Sequence, residues 1–346
     1  MVQKYIPILK WKKGEQTALK NLSSANKQLI IPLIELTDMV EPPEFIQTLK
    51  SIYVYPIYLD TTITAENDVD YLNSIIEESN KSMVEIYPVL NYDNLNNELL
   101  YKSTDRLAIK VGIPEDIEGP SYPEIFDSIK ELKINYPNLK IDIILNLGLI
   151  LDKNTANNQY RDLKNIISTY MEHDNFYNSI IICSTSFPED LSSYNAGDQV
   201  SFKRFDFMIY KKTFSSFPML MDKMLYCDYG VTKFTDSEID FSLMKYGILP
   251  KLKYTCNNEY LFWKGKRKKV NSVSTLEIGY FELAENLINS SYYYGEDFSF
   301  GDKEIKERYN KALKKCDKKC GNGTTWVTIS ANHHICAVIE QLSNLS

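Results

Sequence analysis

The feature that most constrains the fold is a repeated unit: a short apolar run, a polar residue at its end, and then an amphipathic segment. The unit is first seen in Ile30–Leu36 (IIPLIEL), which carries Glu35 near its end and leads into a helical pattern over Glu44–Lys50. Near-continuous apolar strands that alternate with amphipathic helices are typical of a parallel sheet covered on both faces. The repeat therefore predicts where functional residues lie, but it does not identify a reaction.

Eight such apolar runs are predicted as buried parallel strands. They are Tyr5–Lys10, Leu29–Leu36, Val54–Asp60, Val84–Asn91, Leu107–Gly112, Ile141–Gly148, Ser179–Ser184 and Met224–Asp228. The predicted helices between them are Glu15–Leu22, Glu44–Ser51, Asp68–Ser79, Tyr122–Asn135, Tyr160–His173 and approximately Phe202–Thr213. Eight units favour a closed TIM-like (β/α)8 barrel over a doubly wound sheet. The pattern is weakest after Asn91 and in the loop Ser186–Arg204.

The repeat stops after Gly230, and a different pattern follows. Tyr246–Tyr254 and Glu259–Lys264 are predicted to form a hairpin, and three helices are predicted over Ser274–Ser290, Lys303–Lys315 and Asn332–Leu345. No stretch has the composition of a flexible linker. We therefore predict a barrel over residues 1–235 and a C-terminal α+β appendage, residues 236–346, packed on it.

Composition excludes several classes of protein. A formal net charge of −7 over 346 residues argues against a generally basic nucleic-acid-binding protein. No apolar run approaches the roughly 18 residues of a membrane span, so no membrane association is expected. The six cysteines include no Cys-x-x-Cys pair. A reduced, cytoplasmic protein is the simplest interpretation.

The ends of the predicted strands carry polar residues, and in barrels of this kind catalytic groups come from the carboxyl ends of the strands. The candidates are Lys10, Glu35, Asp60, Asn91, Lys110, Asn146, Ser184 with Ser186, and Asp228 with Tyr229. If Glu35, Asp60 and Asp228 converge, they repel unless Mg²⁺ or Mn²⁺, or Lys10 and Lys110, neutralise them. The alternative is that these side chains cap loops and helices. We assign Lys10, Lys110, Asn146, Ser186, Tyr229 and Arg204 to substrate binding.

Several shorter motifs allow two interpretations each. The segment from Lys10 to Glu15 could bind phosphate at a helix start, or it could be an ordinary turn. Cys316, Cys320, His333 and Cys336 approach a zinc spacing, although surface cysteines explain them as well. The stretch of cations and aromatic residues from Lys251 to Lys269 could hold nucleic acid, or it could protect a hairpin edge.

His333 and His334 are adjacent, and adjacent helical residues point about 100° apart, so they are poorly placed to bind one metal together. One of them is expected to reach the barrel mouth as an acid or base. Asp302 is expected to cap a helix, and it could also pair with a histidine.

Short motifs along the whole chain, in order and in spacing, resemble those of the "beta protein" family. They are Tyr5-Ile6-Pro7-Ile8-Leu9-Lys10, Gly14-Glu15, Ala18-Leu19, Pro32-x-x-Glu35, Ser186-Phe187-Pro188, Asp228-Tyr229-Gly230, Lys253-Tyr254-Thr255, Phe298-Ser299-x-Gly301-Asp302, and Trp326 with Asn332-His333-His334. The resemblance implies an uncharacterised phage- and bacteria-associated protein, often encoded in genome-defence neighbourhoods, with no established activity. It also implies an acid where Asn146 stands and an arginine near Lys110, and it does not include Cys316 and Cys320.

Two functions follow as hypotheses. The first is an anti-phage defence-associated protein with a phosphate-directed pocket, in its most specific form a metal-dependent hydrolase (a phosphodiesterase or nuclease) acting on a nucleotide or nucleic acid. In it, Glu35, Asp60 and Asp228 hold the cation, and alanine at Asp228 abolishes activity with little change in melting temperature. The second is a non-enzymatic recognition or sensor subunit that binds a phage component or a partner effector protein of a defence system.

Overall fold

The computed structural model of this chain describes residues 5–64, 69–232, 249–271, 273–312 and 319–345. Eight parallel strands close into a barrel in sequence order, and β1 completes the ring by pairing with β9. The ring consists of β1 (Tyr5–Lys10), β2 (Leu33–Glu35), β3 (Ile57–Asp60), β4 (Ile86–Leu90), β5 (Arg106–Gly112), β6 (Lys140–Leu149), β7 (Ser179–Thr185) and β9 (Met224–Asp228), while β8 (Gln199–Lys203) lies outside it. The predicted TIM-like barrel is confirmed.

Helices cover the outside of the ring. They are α1 (Lys13–Lys20), α2 (Ser24–Gln28), α3 (Pro42–Ile52), α4 (Val69–Lys81), α5 (Glu98–Ser103), α6 (Tyr122–Asn135), α7 (Lys153–Ile166) and α8 (Phe205–Ser216). Local sequence sets their starts: the amide of Ser121 donates to Glu124 at 2.8 Å before α6, and the carboxylate of Asp152 accepts from the amide of Thr155 at 3.0 Å in α7.

The barrel strands divide their side chains between two cores. Alternate residues, including Ile8, Leu33, Tyr58 and Cys227, form one cluster enclosed by the ring. The residues between them, such as Leu9 and Tyr226, join the larger cluster under the helices. Because successive strand residues point to opposite faces, the inward or outward direction of each side chain at the strand ends follows from this alternation.

The C-terminal part packs on the barrel as predicted. Its sheet has the order β10 (Lys251–Thr255), β11 (Glu259–Lys264) and β8, and a second hairpin joins β12 (Lys266–Val270) to β13 (Val273–Ile278). Three helices follow: α9 (Tyr280–Ile288), α10 (Phe300–Ala312) and α11 (Gly323–Ser343). Helix α11 lies against α1, where the hydroxyl of Thr328 donates to the carbonyl of Gly14 at 2.8 Å.

Two predictions in this region are wrong. Strand β8 lies in the predicted loop Ser186–Arg204, because it pairs with β11 from a distant part of the chain. The first third of the predicted helix Ser274–Ser290 is the strand β13, in which Ser274 pairs with Lys269. Tertiary pairing outweighed local propensity at both places. The predicted boundary between residues 235 and 236, the start of the strand Tyr246–Tyr254, and Cys316 fall outside the described residues.

Within the described ranges, none of the helices combines the length and the apolar character that a membrane crossing requires. The described cysteines (Cys183, Cys227, Cys256, Cys320 and Cys336) are free thiols.

Candidate functional site

The inward-facing strand ends bring five predicted site residues together. Lys10 pairs in register with Glu35, and Glu35 with Asp60, so the three side chains lie side by side on neighbouring strands. Because side chains along a strand alternate between its two faces, Lys110 also points into the barrel. Tyr229 is a member of the enclosed core. We call Lys10, Glu35, Asp60, Lys110 and Tyr229 the inner mouth. Lys10, Glu35, Asp60 and Tyr229 are buried, whereas the side chain of Lys110 is 19% exposed.

Hydrogen bonds from the described residues reach three of the four carboxylate oxygens of the inner mouth. The Tyr229 hydroxyl donates to Glu35 Oε1 at 2.8 Å. Lys110 Nζ forms an ion pair with Asp60 Oδ2, while the Thr62 amide donates to Asp60 Oδ1 at 3.0 Å. Glu35 Oε2 is buried and has no hydrogen-bond partner among the described residues. Its hydrogen-bonding capacity is therefore not used by the described residues.

The two neighbouring carboxyl groups have opposite pKa shifts. Burial, with the charge of Asp60, raises the pKa of Glu35 to about 7, although Lys110, Tyr229 and Lys10 oppose this rise. Burial also acts to raise the pKa of Asp60, but the ion pair with Lys110 and the bonds from Thr62 outweigh it and lower that pKa. Two carboxyl groups whose environments separate their pKa values are a common arrangement for acid–base catalysis.

Glu15 in α1, at the end of the Lys10–Glu15 segment, belongs to the same electrostatic environment as Glu35. It is 3% exposed, and burial raises the pKa of its carboxyl group to about 8, against the opposing charge of Lys10. Burial therefore favours the protonated forms of both Glu15 and Glu35 relative to exposed glutamates. Among the described residues of this group, Asp60 is the carboxyl group whose pKa is lowered, by its ion pair with Lys110.

We predict that Glu15→Gln makes stability less dependent on pH. The folded pKa of Glu15, about 8, lies above its ordinary value of 4.5. The folded state therefore holds a proton that the unfolded state has released, and stability falls as pH rises from 4.5 through 8. This fall is about 5 kcal/mol from one group. Urea unfolding at pH 5, 7 and 9 should show a shallower decline for Glu15→Gln than for wild type or the exposed control Glu44→Gln; equal declines would contradict the burial effect.

Asp228 does not join the inner mouth, which corrects the predicted three-carboxylate site. It precedes Tyr229, so alternation turns it to the outer face of β9. There it accepts hydrogen bonds from Tyr5 (2.8 Å) and Tyr226 (2.8 Å), and its Oδ1 lies 3.0 Å from His334 Nε2. Burial opposes its ionisation, but His334, Arg204 and Tyr5 outweigh burial and lower its pKa. Asp228 is therefore the centre of a buried network under the appendage.

Arg204 and Ser186 also lie outside the inner mouth. Arg204 is fully buried, and its Nη2 lies 4.0 Å from Asp228 Oδ2 while its Nη1 donates to Gln341 Oε1 at 2.6 Å. Ser186 Oγ accepts from the amide of Asp206 at 2.9 Å. Their predicted roles in substrate binding at the mouth are therefore not supported by position.

The histidine pair is part of the appendage rather than of the inner mouth. His333 Nδ1 lies 2.8 Å from Asp302 Oδ2, and its Nε2 lies 2.8 Å from the carbonyl of Thr255. His334 reaches Asp228 and, through Nδ1, the Thr255 hydroxyl at 2.8 Å. Both rings are buried with both nitrogens in contact with partners, which corrects the prediction that one acts as an acid or base at the mouth. The predicted His–carboxylate couple of Asp302 is present.

A divalent cation does not fit the predicted ligand set Glu35, Asp60 and Asp228. Asp228 faces away from the other two, and three of the four oxygens of Glu35 and Asp60 already accept hydrogen bonds. In the described part of the chain, no group of three or more His, Cys, Asp and Glu residues is spaced to hold a metal ion. Cys336 Sγ instead accepts a bond from Asn26 at 3.3 Å.

The structure also shows the surroundings of Asn146 and Gly14, two further positions that the sequence analysis considered. Asn146 is half-buried, pairs with Gly112 on β5, and points inward by alternation, so it lies at the rim above Lys110. Gly14 contacts α11: a Cβ there would approach Val327 Cγ1 to 2.9 Å. The glycine of the Lys10–Glu15 segment is therefore explained by helix packing, without a bound phosphate.

Comparison with known proteins agrees with the motifs. A family model described as Beta protein matches residues 5–340, nearly the whole chain. No match was found among curated proteins.

Proposed function

The chain belongs to the Beta protein family, and from its barrel mouth we propose a hydrolase that acts on a phosphate-bearing substrate, with Glu35 as the general base. One observation carries the proposal: Glu35 is buried between lysines, has a pKa of about 7 and keeps Oε2 unpartnered among the described residues. A base whose pKa lies near the operating pH transfers protons most effectively.

Each residue of the inner mouth has a distinct part in this proposal. Lys10 and Lys110 supply positive charge for the phosphoryl oxygens, and Asp60 holds the Lys110 ammonium group in place. Tyr229 fixes Oε1 of Glu35, which leaves Oε2 to receive a proton from water. The water oxygen then bonds to phosphorus, the bond to the leaving oxygen breaks, and that oxygen takes a proton from solvent.

A panel of nucleotides and phosphodiesters tests the proposal. Wild type, Glu35→Gln and the exposed control Glu77→Gln would be compared by release of phosphate or alcohol. We expect turnover of at least one class by wild type and Glu77→Gln, and its loss in Glu35→Gln. No turnover of any phosphate ester by wild type, or equal turnover by all three proteins, would overturn the proposal.

A non-enzymatic recognition subunit is the second candidate, and the burial of the histidine pair favours it. His333 is buried against Asp302 and Thr255, and His334 is buried against Asp228 of β9 and Thr255, so neither contacts the inner mouth. This function predicts that a phage protein or a defence-system partner co-purifies with the chain.

We also propose the anti-phage, cytoplasmic setting that the family resemblance suggests. Plating of phage on cells that carry wild type or Glu35→Gln would test it: protection by wild type alone supports the enzyme, and protection by both supports the recognition subunit.

A further inference from the structure

The β12–β13 hairpin concentrates positive charge in an acidic chain. It is a two-stranded antiparallel sheet, separate from the sheet of β8, β11 and β10. Strand β12 reads Lys-Arg-Lys-Lys-Val, and the one acid of β13, Glu277, lies 3.2 Å from Lys266. The whole chain has a net charge of −7, so this hairpin is a strong local exception.

The lysines that precede β12 in the sequence do not belong to the basic surface of the hairpin. Lys253 Nζ donates to the carbonyl of Val231 at 2.7 Å, and Lys264 Nζ donates to the carbonyl of Tyr194 at 2.6 Å. Both ammonium groups therefore bind the protein itself. Within the predicted basic stretch from Lys251 to Lys269, the basic surface is therefore the part that forms β12.

Positive charge lies on both faces of the hairpin. Lys268 pairs with Thr275, whereas its neighbours Arg267 and Lys269 pair with Leu276 and Ser274. Because neighbouring strand residues point to opposite faces, Lys268 faces one side while Arg267 and Lys269 face the other. Lys268 and Lys269 are both exposed.

Apolar side chains are exposed on the same two faces. Val270 and Val273 pair across the strands and are 46% and 62% exposed, and Leu276, opposite Arg267, is 48% exposed. At the base, a Cβ on Gly265 would come within 2.5 Å of the carbonyl of Ile278. The hairpin thus begins from a closely packed point and presents cations and apolar groups together.

We propose that the β12–β13 hairpin binds double-stranded DNA by lying in its major groove. That groove admits a two-stranded β-ribbon and has phosphates along both walls, which matches cations on both faces. A flat anionic membrane would contact one face and leave the cations of the other unused. Exposed valine and leucine side chains suit contacts with thymine methyl groups. This inference rests on the hairpin alone and does not depend on the chemistry at Glu35.

Fluorescence anisotropy with a labelled DNA duplex of about 20 base pairs, at several salt concentrations, tests the proposal. Lys268→Ala with Lys269→Ala should weaken binding roughly tenfold and reduce the salt slope by about 2, since each phosphate contact contributes about 1. The matched control, Lys140→Ala with Lys164→Ala, removes the same charge from exposed positions elsewhere and should bind like wild type.

Three results would overturn the proposal: no duplex binding by wild type, equal loss in both double variants, or binding to phosphatidylserine vesicles in place of the duplex. Circular dichroism of both variants would show that the fold is retained, so that a loss of binding is due to the missing charges.

Discussion

Alanine at Asp228 is expected to lower the free energy of unfolding by about 3–5 kcal/mol, because removal of one partner from a buried charged network leaves the others unsatisfied. The hydroxyls of Tyr5 and Tyr226 would each lose an acceptor at 2.8 Å. His334 would lose its carboxylate at 3.0 Å, and the amide of Gly230 its acceptor at 3.3 Å. Each of these groups is buried, so water does not replace the missing oxygen.

Thermal and urea unfolding of Asp228→Ala would measure this loss, with the exposed residue Asp222 replaced by alanine as the control. We expect the melting temperature to fall by several degrees in the first variant alone. An unchanged melting temperature would agree instead with the sequence-based expectation that Asp228 is a catalytic residue at the mouth.

Glutamine at Glu35 has the second large expected effect, a fall in kcat of about 10²–10⁴, which is the usual contribution of a general base. The side chain keeps its shape, and Tyr229 keeps an oxygen to which it can donate. In wild type, the rate should rise with pH through about 7, where Glu35 loses its proton. Glu35→Gln should lack this rise.

The stability of Glu35→Gln should not fall with its activity. Because the folded pKa of Glu35 is about 7 against an ordinary 4.5, wild type loses stability as pH rises between these values, and glutamine avoids that loss. Above pH 7, Glu35→Gln should therefore be at least as stable as wild type. An inactive variant that also unfolds more easily at pH 8 would show that Glu35 supports the fold instead.

The barrel could be predicted because its strands are short, apolar and bounded by polar turns. The limits of β1 and β9 coincide with the predicted runs Tyr5–Lys10 and Met224–Asp228. Strand β8 could not be predicted in this way, since its residues are exposed or half-buried and its partner is β11, far along the chain. Local pattern carries no information about such a pairing.

The site was predictable in part for the same reason. Glu35, Asp60 and Lys110 lie at or near the carboxyl ends of their strands and point inward. They could be predicted because the functional residues of such barrels come from these strand ends. Asp228 and Tyr229 are neighbours, and the period of two along a strand places only one of them inside. The sequence alone therefore indicated that Asp228 and Tyr229 cannot both point into the barrel. The contact of His334 with Asp228 joins positions 106 residues apart and left no local pattern.

The proposed acid–base group at the barrel mouth is tested most directly by titration of the Glu35 carboxyl group in the folded protein. Carbon-13 NMR of protein with labelled glutamate, with Glu35→Gln used to assign the signal, would follow its ionisation between pH 4 and 9. We expect a midpoint near 7, and a higher midpoint in Tyr229→Phe because that variant lacks the hydrogen bond to the ionised form. A midpoint near the ordinary 4.5 would contradict a buried acid–base group at the barrel mouth.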